Sequence, residues 1–132
     1  MVLDTIESQV YTRLKNKIPS NIKTKYKNLN FTTNNINLAD AKFPCVYIHM
    51  LESPEVGEDV EGNEINAIYA SFVIEVVDNE SQANTTALSK EIQKIMKEMR
   101  FKVVGFPYND NNDSTYRKVS RYRRTIANND VL

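Results

Sequence analysis

The residue types that most often carry catalysis are scarce in this 132-residue sequence. It has one histidine, His49, one cysteine, Cys45, and three glycines. One histidine and one cysteine cannot build a zinc site without carboxylates, and no Ser–His or Cys–His pairing is supported by the sequence. Three glycines are too few for a phosphate-binding loop or a dinucleotide fingerprint. We therefore expect no enzyme activity, no cofactor and no metal ion, with Cys45 a buried thiol and His49 a half-buried strand residue.

A strongly acidic segment occupies the middle of the chain. Residues 43–80 contain no lysine or arginine but carry the carboxylates Glu52, Glu55, Glu58, Asp59, Glu61, Glu64, Glu75, Asp78 and Glu80. Their spacing does not match an EF-hand, in which the calcium ligands alternate around a central glycine. Two interpretations stay open for residues 53–62: a solvated loop and an interaction loop.

Two basic stretches lie on either side of it. The first carries Arg13, Lys15, Lys17, Lys23, Lys25 and Lys27, and the second carries Arg117, Lys118, Arg121, Arg123 and Arg124, interleaved with Tyr116 and Tyr122. Basic strands with tyrosines can bind single-stranded nucleic acid through stacking and charge. However, the net charge of the chain is zero and no nucleic-acid-binding motif accompanies them.

Segregated charge in a neutral chain also suits a head-to-tail contact between copies, which closes into a ring when the rotation allows it. The candidate interface residues are Glu55, Glu58, Asp59, Glu61, Glu64, Arg117, Arg121, Arg123 and Arg124.

Apolar periodicity predicts an α+β fold. Helices are predicted at 3–18 and 81–100, and strands at 28–32, 44–52, 64–78, 101–108 and 116–126. The second helix is expected to be capped by Asp78 or Ser81 and to bury Ala83, Ala87, Leu88, Ile92, Ile95, Met96 and Met99. Strand 64–78 is apolar on both faces near its end, which predicts a central strand covered on both sides. The expected sheet is antiparallel or mixed, with about four or five strands and two helices packed on one face.

The length fits one domain, residues 1–132, with 127–132 expected to be a flexible tail. The sequence shows neither a signal-peptide pattern nor a run of about 18 apolar residues, so we expect a soluble protein made in the cytoplasm.

Several of these segments together resemble a known family. They are the amphipathic helix at the start, the strand Phe43-Pro44-Cys45-Val46-Tyr47-Ile48, the acidic loop, the strand Phe72–Asp78, the helix holding Ala83 and Met96, Met99-Arg100-Phe101, Asn112–Arg117 and Ser120-Arg121-Tyr122-Arg123. Over residues 1–127 this arrangement resembles the tail terminator (tail completion, or minor capsid) proteins of tailed bacteriophages.

The resemblance implies a structural virion protein without a cofactor. It would form a hexameric ring that caps the tail tube at its head-proximal end, in the neck of the virion, after assembly in the bacterial cytoplasm. Its implied partners are other copies, the tail tube protein, a head-completion or connector protein, and a sheath protein if the tail is contractile. DNA would only pass through the lumen. Another neck or head-closure connector is the alternative within the same particle. A nucleic-acid module built on Tyr116, Arg117, Arg121, Tyr122 and Arg123 is the alternative outside it.

Overall fold

The computed structural model describes residues 5–33, 42–56, 67–112, 114–127 and 130–132. The helices are α1 (Ile6–Lys17), α2 (Ser20–Lys25) and α3 (Gln82–Glu98). The strands are β1 (Asn30–Thr32), β2 (Cys45–Met50), β3 (Glu55–Val56), β4 (Ala67–Asp78), β5 (Lys102–Val103), β6 (Tyr108–Asn109) and β7 (Tyr116–Ala127). None of the described helices is long and apolar enough to cross a membrane.

One open, mixed sheet organises the fold. Its strand order is β1-β2-β4-β7-β5, with β3 paired to β4 and β6 paired to β7. The β1–β2 pair is parallel and the other pairs are antiparallel. The long strands β4 and β7 pair along their whole length, from Ala67 opposite Ala127 to Asp78 opposite Tyr116. The predicted fold class, a sheet with two helices on one face, is confirmed.

Helices α1 and α3 cover one face of this sheet. Val10 and Leu14 of α1, together with Ile92 of α3, are fully buried in one core with Phe72 of β4. The ring of Phe72 meets that of Phe101 edge to face, with 5.6 Å between centroids. Complete burial of each such side chain stabilises the fold by roughly 1.5–3 kcal/mol, so this face holds the helices.

Both ends of α3 are closed by local hydrogen bonds. The hydroxyl of Ser81 accepts from the backbone N–H of Asn84 at 3.3 Å, and a carboxylate oxygen of Asp78 accepts from the N–H of Ser81 at 3.1 Å. Ser81 is thus the N-cap, and Asp78 supports it. At the other end Arg100 adopts φ 65°, and the N–H of Phe101 donates to the carbonyl of Met96 at 3.0 Å. This left-handed residue ends the helix in a position that usually holds glycine.

The opposite face of the sheet differs from its prediction. Strand β4 is central, as expected, but its odd-numbered residues from Tyr69 to Glu75 are half-buried or exposed, and only Val77 is buried. The prediction that both faces of β4 are covered is therefore wrong along most of the strand. Near Val77 this face is buried, as the apolar residues there predicted, since Cys45 and Val119 on the same face are buried as well.

Further corrections concern element bounds and the α3 stripe. In place of the single strand predicted at 101–108 there are two short strands, Lys102–Val103 and Tyr108–Asn109, joined by a loop. Ala83 is exposed, whereas Thr85 and Ser89 are buried. These two polar residues lie on the buried stripe because they are four residues apart, and the hydroxyl of Thr85 donates to the carbonyl of Gln82 at 2.8 Å.

Residues 130–132, which belong to the predicted flexible tail, contact the rest of the protein. Leu132 is 9% exposed and joins the core. Arg13 donates to the carbonyl of Leu132 at 3.0 Å, and Arg100 donates to that of Val131 at 2.8 Å. Few apolar residues occur in this segment, so no sequence pattern indicated that it packs on the core. The hydrogen bonds from Arg13 and Arg100 come from distant elements and follow no local pattern.

Candidate assembly surfaces

The uncovered face of the sheet carries a cationic patch. Arg121 and Arg123 alternate with buried residues of β7 and are both exposed on this face. Lys102 of β5 lies directly opposite Arg123, and the Arg123 guanidinium lies 5.5 Å from the ring centroid of Tyr69. Like charges in directly opposed positions repel each other. Of the described carboxylates, none forms an ion pair with these three cations, so the patch favours an anionic partner.

Arg117 already has an intramolecular partner on the same face. Its Nη1 lies 3.4 Å from a carboxylate oxygen of Glu75, and both side chains are half-buried. Its backbone N–H donates to the side-chain oxygen of Asn111 at 3.0 Å. The buried Nε of Arg117 has no hydrogen-bond partner among the described atoms. Arg117 therefore links β7 to β4 within one copy of the chain.

Arg124 does not belong to this surface, and its prediction as an exposed interface residue is corrected. It is 8% exposed on the helix-covered face, where Nη1 donates to the carbonyl of Met99 at 2.9 Å. Nη2 lies 3.7 Å from the carboxylate of Asp130. Burial, reinforced by the neighbouring charge of Arg100 and opposed by Asp130, lowers the pKa of Arg124. Strand alternation sends Arg124 inward because its neighbours Arg123 and Thr125 point outward.

The same alternation separates the residues of the predicted nucleic-acid platform. Arg117, Arg121 and Arg123 point to the uncovered face, whereas Tyr116 and Tyr122 point to the other. Tyr122 is fully buried in the core. A buried ring cannot stack on a base, so the predicted combination of these tyrosines and arginines does not form.

The acidic interface candidates are only partly described. The backbone of Glu55 belongs to β3, opposite Ile68 of β4. Glu58, Asp59, Glu61 and Glu64 lie outside the described residues. The ends of their segment are nevertheless fixed, because Val56 pairs with Ala67 at one end of β4.

Phe106 is an interaction candidate that sequence reasoning missed. It is 95% exposed in the loop between β5 and β6, next to Gly105 at φ 71°. Val103, Pro107 and the exposed Lys97 and Lys102 lie around the same shallow depression. The prediction of one continuous strand at 101–108 did not anticipate the loop that exposes Phe106. The triplet Gly-Phe-Pro was the available signal, since glycine and proline favour a loop.

A second missed feature is a groove between α1, α2 and β1. It measures about 380 Å³ and is lined by Lys15, Lys23, Tyr26, Lys27, Leu29, Asn30 and Phe31. The three lysines are exposed, whereas Tyr26 is buried and Leu29 and Phe31 are half-buried. The groove thus has an apolar floor and a cationic rim. The lysines are visible in the sequence as a basic stretch, whereas the floor forms only when α2 and β1 come together.

Hydrogen bonds hold the floor of this groove in place. The hydroxyl of Tyr26 donates to the side-chain oxygen of Asn84 at 3.0 Å, and the amide of Asn84 donates to Asp78 at 2.9 Å. The side-chain amide of Asn30 donates to the carbonyl of Lys42 at 2.6 Å. Such ordering reduces the entropic cost of binding, because fewer groups must be immobilised when a ligand arrives.

The two residues with the most reactive side chains lie on β2. Cys45 is buried, as predicted, and burial raises the pKa of its thiol to about 11, so it remains protonated at neutral pH. His49 is exposed rather than half-buried, and its ring stacks on that of Tyr47 with 5.8 Å between centroids. Within the described part of the chain, no three His, Cys, Asp or Glu side chains come together as metal ligands would.

The fold has a counterpart among solved structures. It is similar to a chain of the virion of a native gene transfer agent (GTA) particle, with a TM-score of 0.53 and 14% sequence identity. The match covers 89% of this chain and 91% of that chain. No family model and no curated protein sequence matches. At this identity the likeness concerns the fold.

Proposed function

We propose that this chain is a structural protein of a phage-like virion, and more narrowly a tail terminator. The observation that carries the proposal is the match to a chain of the gene transfer agent particle, which covers most of both chains. Shared architecture over whole chains is what two versions of one virion component would have. The sequence resemblance to tail terminators supports the narrower role independently, because it rests on residues and not on the fold.

In this role the chain acts by binding. We propose a hexameric ring on the head-proximal end of the tail tube, with contacts to the tube protein and to a head-completion or connector protein. No catalysis and no cofactor are required of it. The uncovered sheet face supports the proposal, since no described carboxylate pairs with Lys102, Arg121 or Arg123 there, and Phe106 is exposed in the loop that follows β5. Aromatic and arginine side chains are enriched in protein interfaces.

The decisive experiment combines mass with placement. The full chain would be measured by native mass spectrometry, alone and with tail tube protein encoded by the same genome, and the tubes would then be imaged by electron microscopy. We expect a six-fold ring at one end of the tubes and tubes of limited length. A protein that stays monomeric at high concentration, and in the presence of tube protein, would contradict the proposal.

The same images separate the alternative within the particle. Another neck or head-closure connector would bind the head vertex and leave tube elongation unchanged. A nucleic-acid module would instead bind DNA as a monomer, with an affinity that falls steeply as salt rises, because phosphate contacts release counterions.

A further inference from the structure

The groove between α1, α2 and β1 combines features that select a particular kind of ligand. Its rim carries the ammonium groups of Lys15, Lys23 and Lys27, and none of the described residues that line it is a carboxylate. Its floor is made by Tyr26, Leu29 and Phe31. A ligand that satisfies both parts must present several negative charges around a small apolar group. A volume of about 380 Å³ lies at the lower end of the range for binding pockets, which suits one aliphatic side chain and its flanking backbone.

We infer that this groove binds an acidic peptide carrying a short aliphatic side chain, and that the peptide is residues 52–64 of a second copy of the chain. This segment holds Glu52, Glu55, Glu58, Asp59, Glu61 and Glu64, and its aliphatic residues are Val56 and Val60. Val60 stands between Asp59 and Glu61, so an apolar side chain is flanked directly by two carboxylates. That pattern matches an apolar floor beneath a ring of lysines.

The geometry of the sheet requires the segment to come from another copy. Phe31 in the groove pairs with Val46, which pairs with Val76 near one end of β4. The acidic segment leaves the sheet at Val56 and returns at Ala67, the other end of β4. At about 3.3 Å per residue the two places are roughly 30 Å apart. A ten-residue connection whose two ends are joined at this position can reach at most half of its extended length, or less than about 20 Å, from it.

A contact between opposite ends of β4 on two copies is heterologous. Each copy offers its segment to one neighbour and its groove to another, so the contacts form a chain that either closes into a ring or continues as a filament. The inference rests on the self-assembly part of the proposed function, and not on the position of the ring within a virion.

The first test measures peptide binding to the intact protein. A fluorescent peptide with the sequence of residues 52–64 would be titrated with the full chain, and anisotropy recorded at low and high salt. We expect saturable binding that weakens as salt rises, because exposed charges are screened. Replacing both valines of the peptide by serine keeps its charge and should weaken binding about tenfold, since a buried valine contributes roughly 1.5 kcal/mol.

Matched protein variants locate the peptide. The groove pair Lys23→Gln with Lys27→Gln should weaken binding about fivefold, as expected for two exposed ion pairs. The control pair Lys90→Gln with Lys94→Gln removes the same charge from exposed positions of α3 and should leave binding unchanged. If both pairs weaken peptide binding equally, or if the peptide shows no saturable binding, the groove is not a peptide site. The lysines would then serve only to protect the sheet edge at β1 from pairing with another chain.

The second test identifies the occupant in the full chain. An acid-reversed variant carries Glu58→Lys, Asp59→Lys and Glu61→Lys, and a groove-reversed variant carries Lys15→Glu, Lys23→Glu and Lys27→Glu. We expect each variant alone to lose self-association and an equimolar mixture to regain it, because each then meets a complementary surface. If both single variants still self-associate, the occupant of the groove is not a second copy. The same conclusion follows if the mixture does not self-associate while each variant stays folded.

The two proposals fail in different ways. If the wild-type chain never assembles with tail tubes but binds the peptide, the tail-terminator role falls and the groove remains. If wild-type rings form but neither groove variant affects them, the groove falls and the proposed role remains.

Discussion

Replacement of Arg124 by methionine tests the claim that this arginine stabilises the fold rather than an interface. Arg124→Met keeps an unbranched apolar stem in the core but removes the donor at 2.9 Å from the carbonyl of Met99. That carbonyl belongs to the C-cap residue of α3. A hydrogen bond from a charged donor contributes roughly 1.5–3 kcal/mol, and a buried acceptor left without a donor costs a similar amount.

An opposing effect must be weighed. Burial lowers the pKa of Arg124, which means that the charged side chain is poorly solvated, and its removal relieves that cost. We expect the loss of the donor to dominate, because the methionine cannot satisfy the carbonyl and the weaker contact to Val131 at 3.4 Å is lost as well. The expected decrease in the free energy of unfolding is about 2 kcal/mol, or a melting temperature lower by about 6–8 °C.

Urea unfolding monitored by circular dichroism would measure this decrease. The matched control is Arg121→Met, which removes the same charge from an exposed position of β7 and should change stability by less than about 0.5 kcal/mol. A decrease as large for Arg121→Met as for Arg124→Met would refute the assignment of Arg124 to the core. Unchanged or increased stability of Arg124→Met would show that desolvation of the charge outweighs its hydrogen bonds.

Three further predictions follow from single side chains. Phe106→Ser should leave the free energy of unfolding within about 0.5 kcal/mol of wild type, because the ring is 95% exposed. The same substitution should reduce the assembled fraction measured by size-exclusion chromatography. Unchanged assembly would show that Phe106 is not part of the interface. Cys45 should react slowly with iodoacetamide at pH 8 in the native protein and rapidly in urea. Because its folded pKa is raised from 9.0 to about 11, the folded state favours the protonated thiol. The contribution of the protonated thiol to the free energy of unfolding should thus be fully present below about pH 8 and decline as pH rises from 9 towards 11. Urea titrations at several pH values would measure this decline, and Cys45→Ser should not show it. Ser81→Ala should lower stability by about 1 kcal/mol in thermal unfolding, through loss of the α3 cap; an unchanged melting temperature would show that Asp78 caps the helix by itself.

Regular periodicity made most of the elements predictable. The stripe through Val10 and Leu14 and the stripe through Leu88 and Ile92 each specify one buried helix face, and both helices are confirmed. The alternation in β4 specifies a central strand. These patterns could be recognised because a buried face repeats every 3.6 or every two residues whatever the remaining chain does.

The surface was predictable only in part, because sequence shows charge but not which face a side chain occupies. In β7, a shift of one residue decides whether an arginine is exposed or buried. Arg123 and Arg124 are the same residue type at adjacent positions, yet they lie on opposite faces of the sheet. The groove needed an apolar floor assembled from α2 and β1, a contact that no local pattern encodes. Phe106 escaped notice because its exposure depends on a short loop inside a segment that looked continuous.

The late position of β7 in the chain has a consequence for how the protein is made. This strand supplies the partners of β4, β5 and β6, and Leu132 beyond it is held by Arg13, 119 residues earlier. Contacts between residues so distant in sequence slow folding, because the cost of closing a long loop comes before any gain from the contact. A nascent chain that lacks β7 has no neighbour for one edge of β4, so it would be prone to aggregation. The sheet can therefore be completed only after β7 has been synthesised.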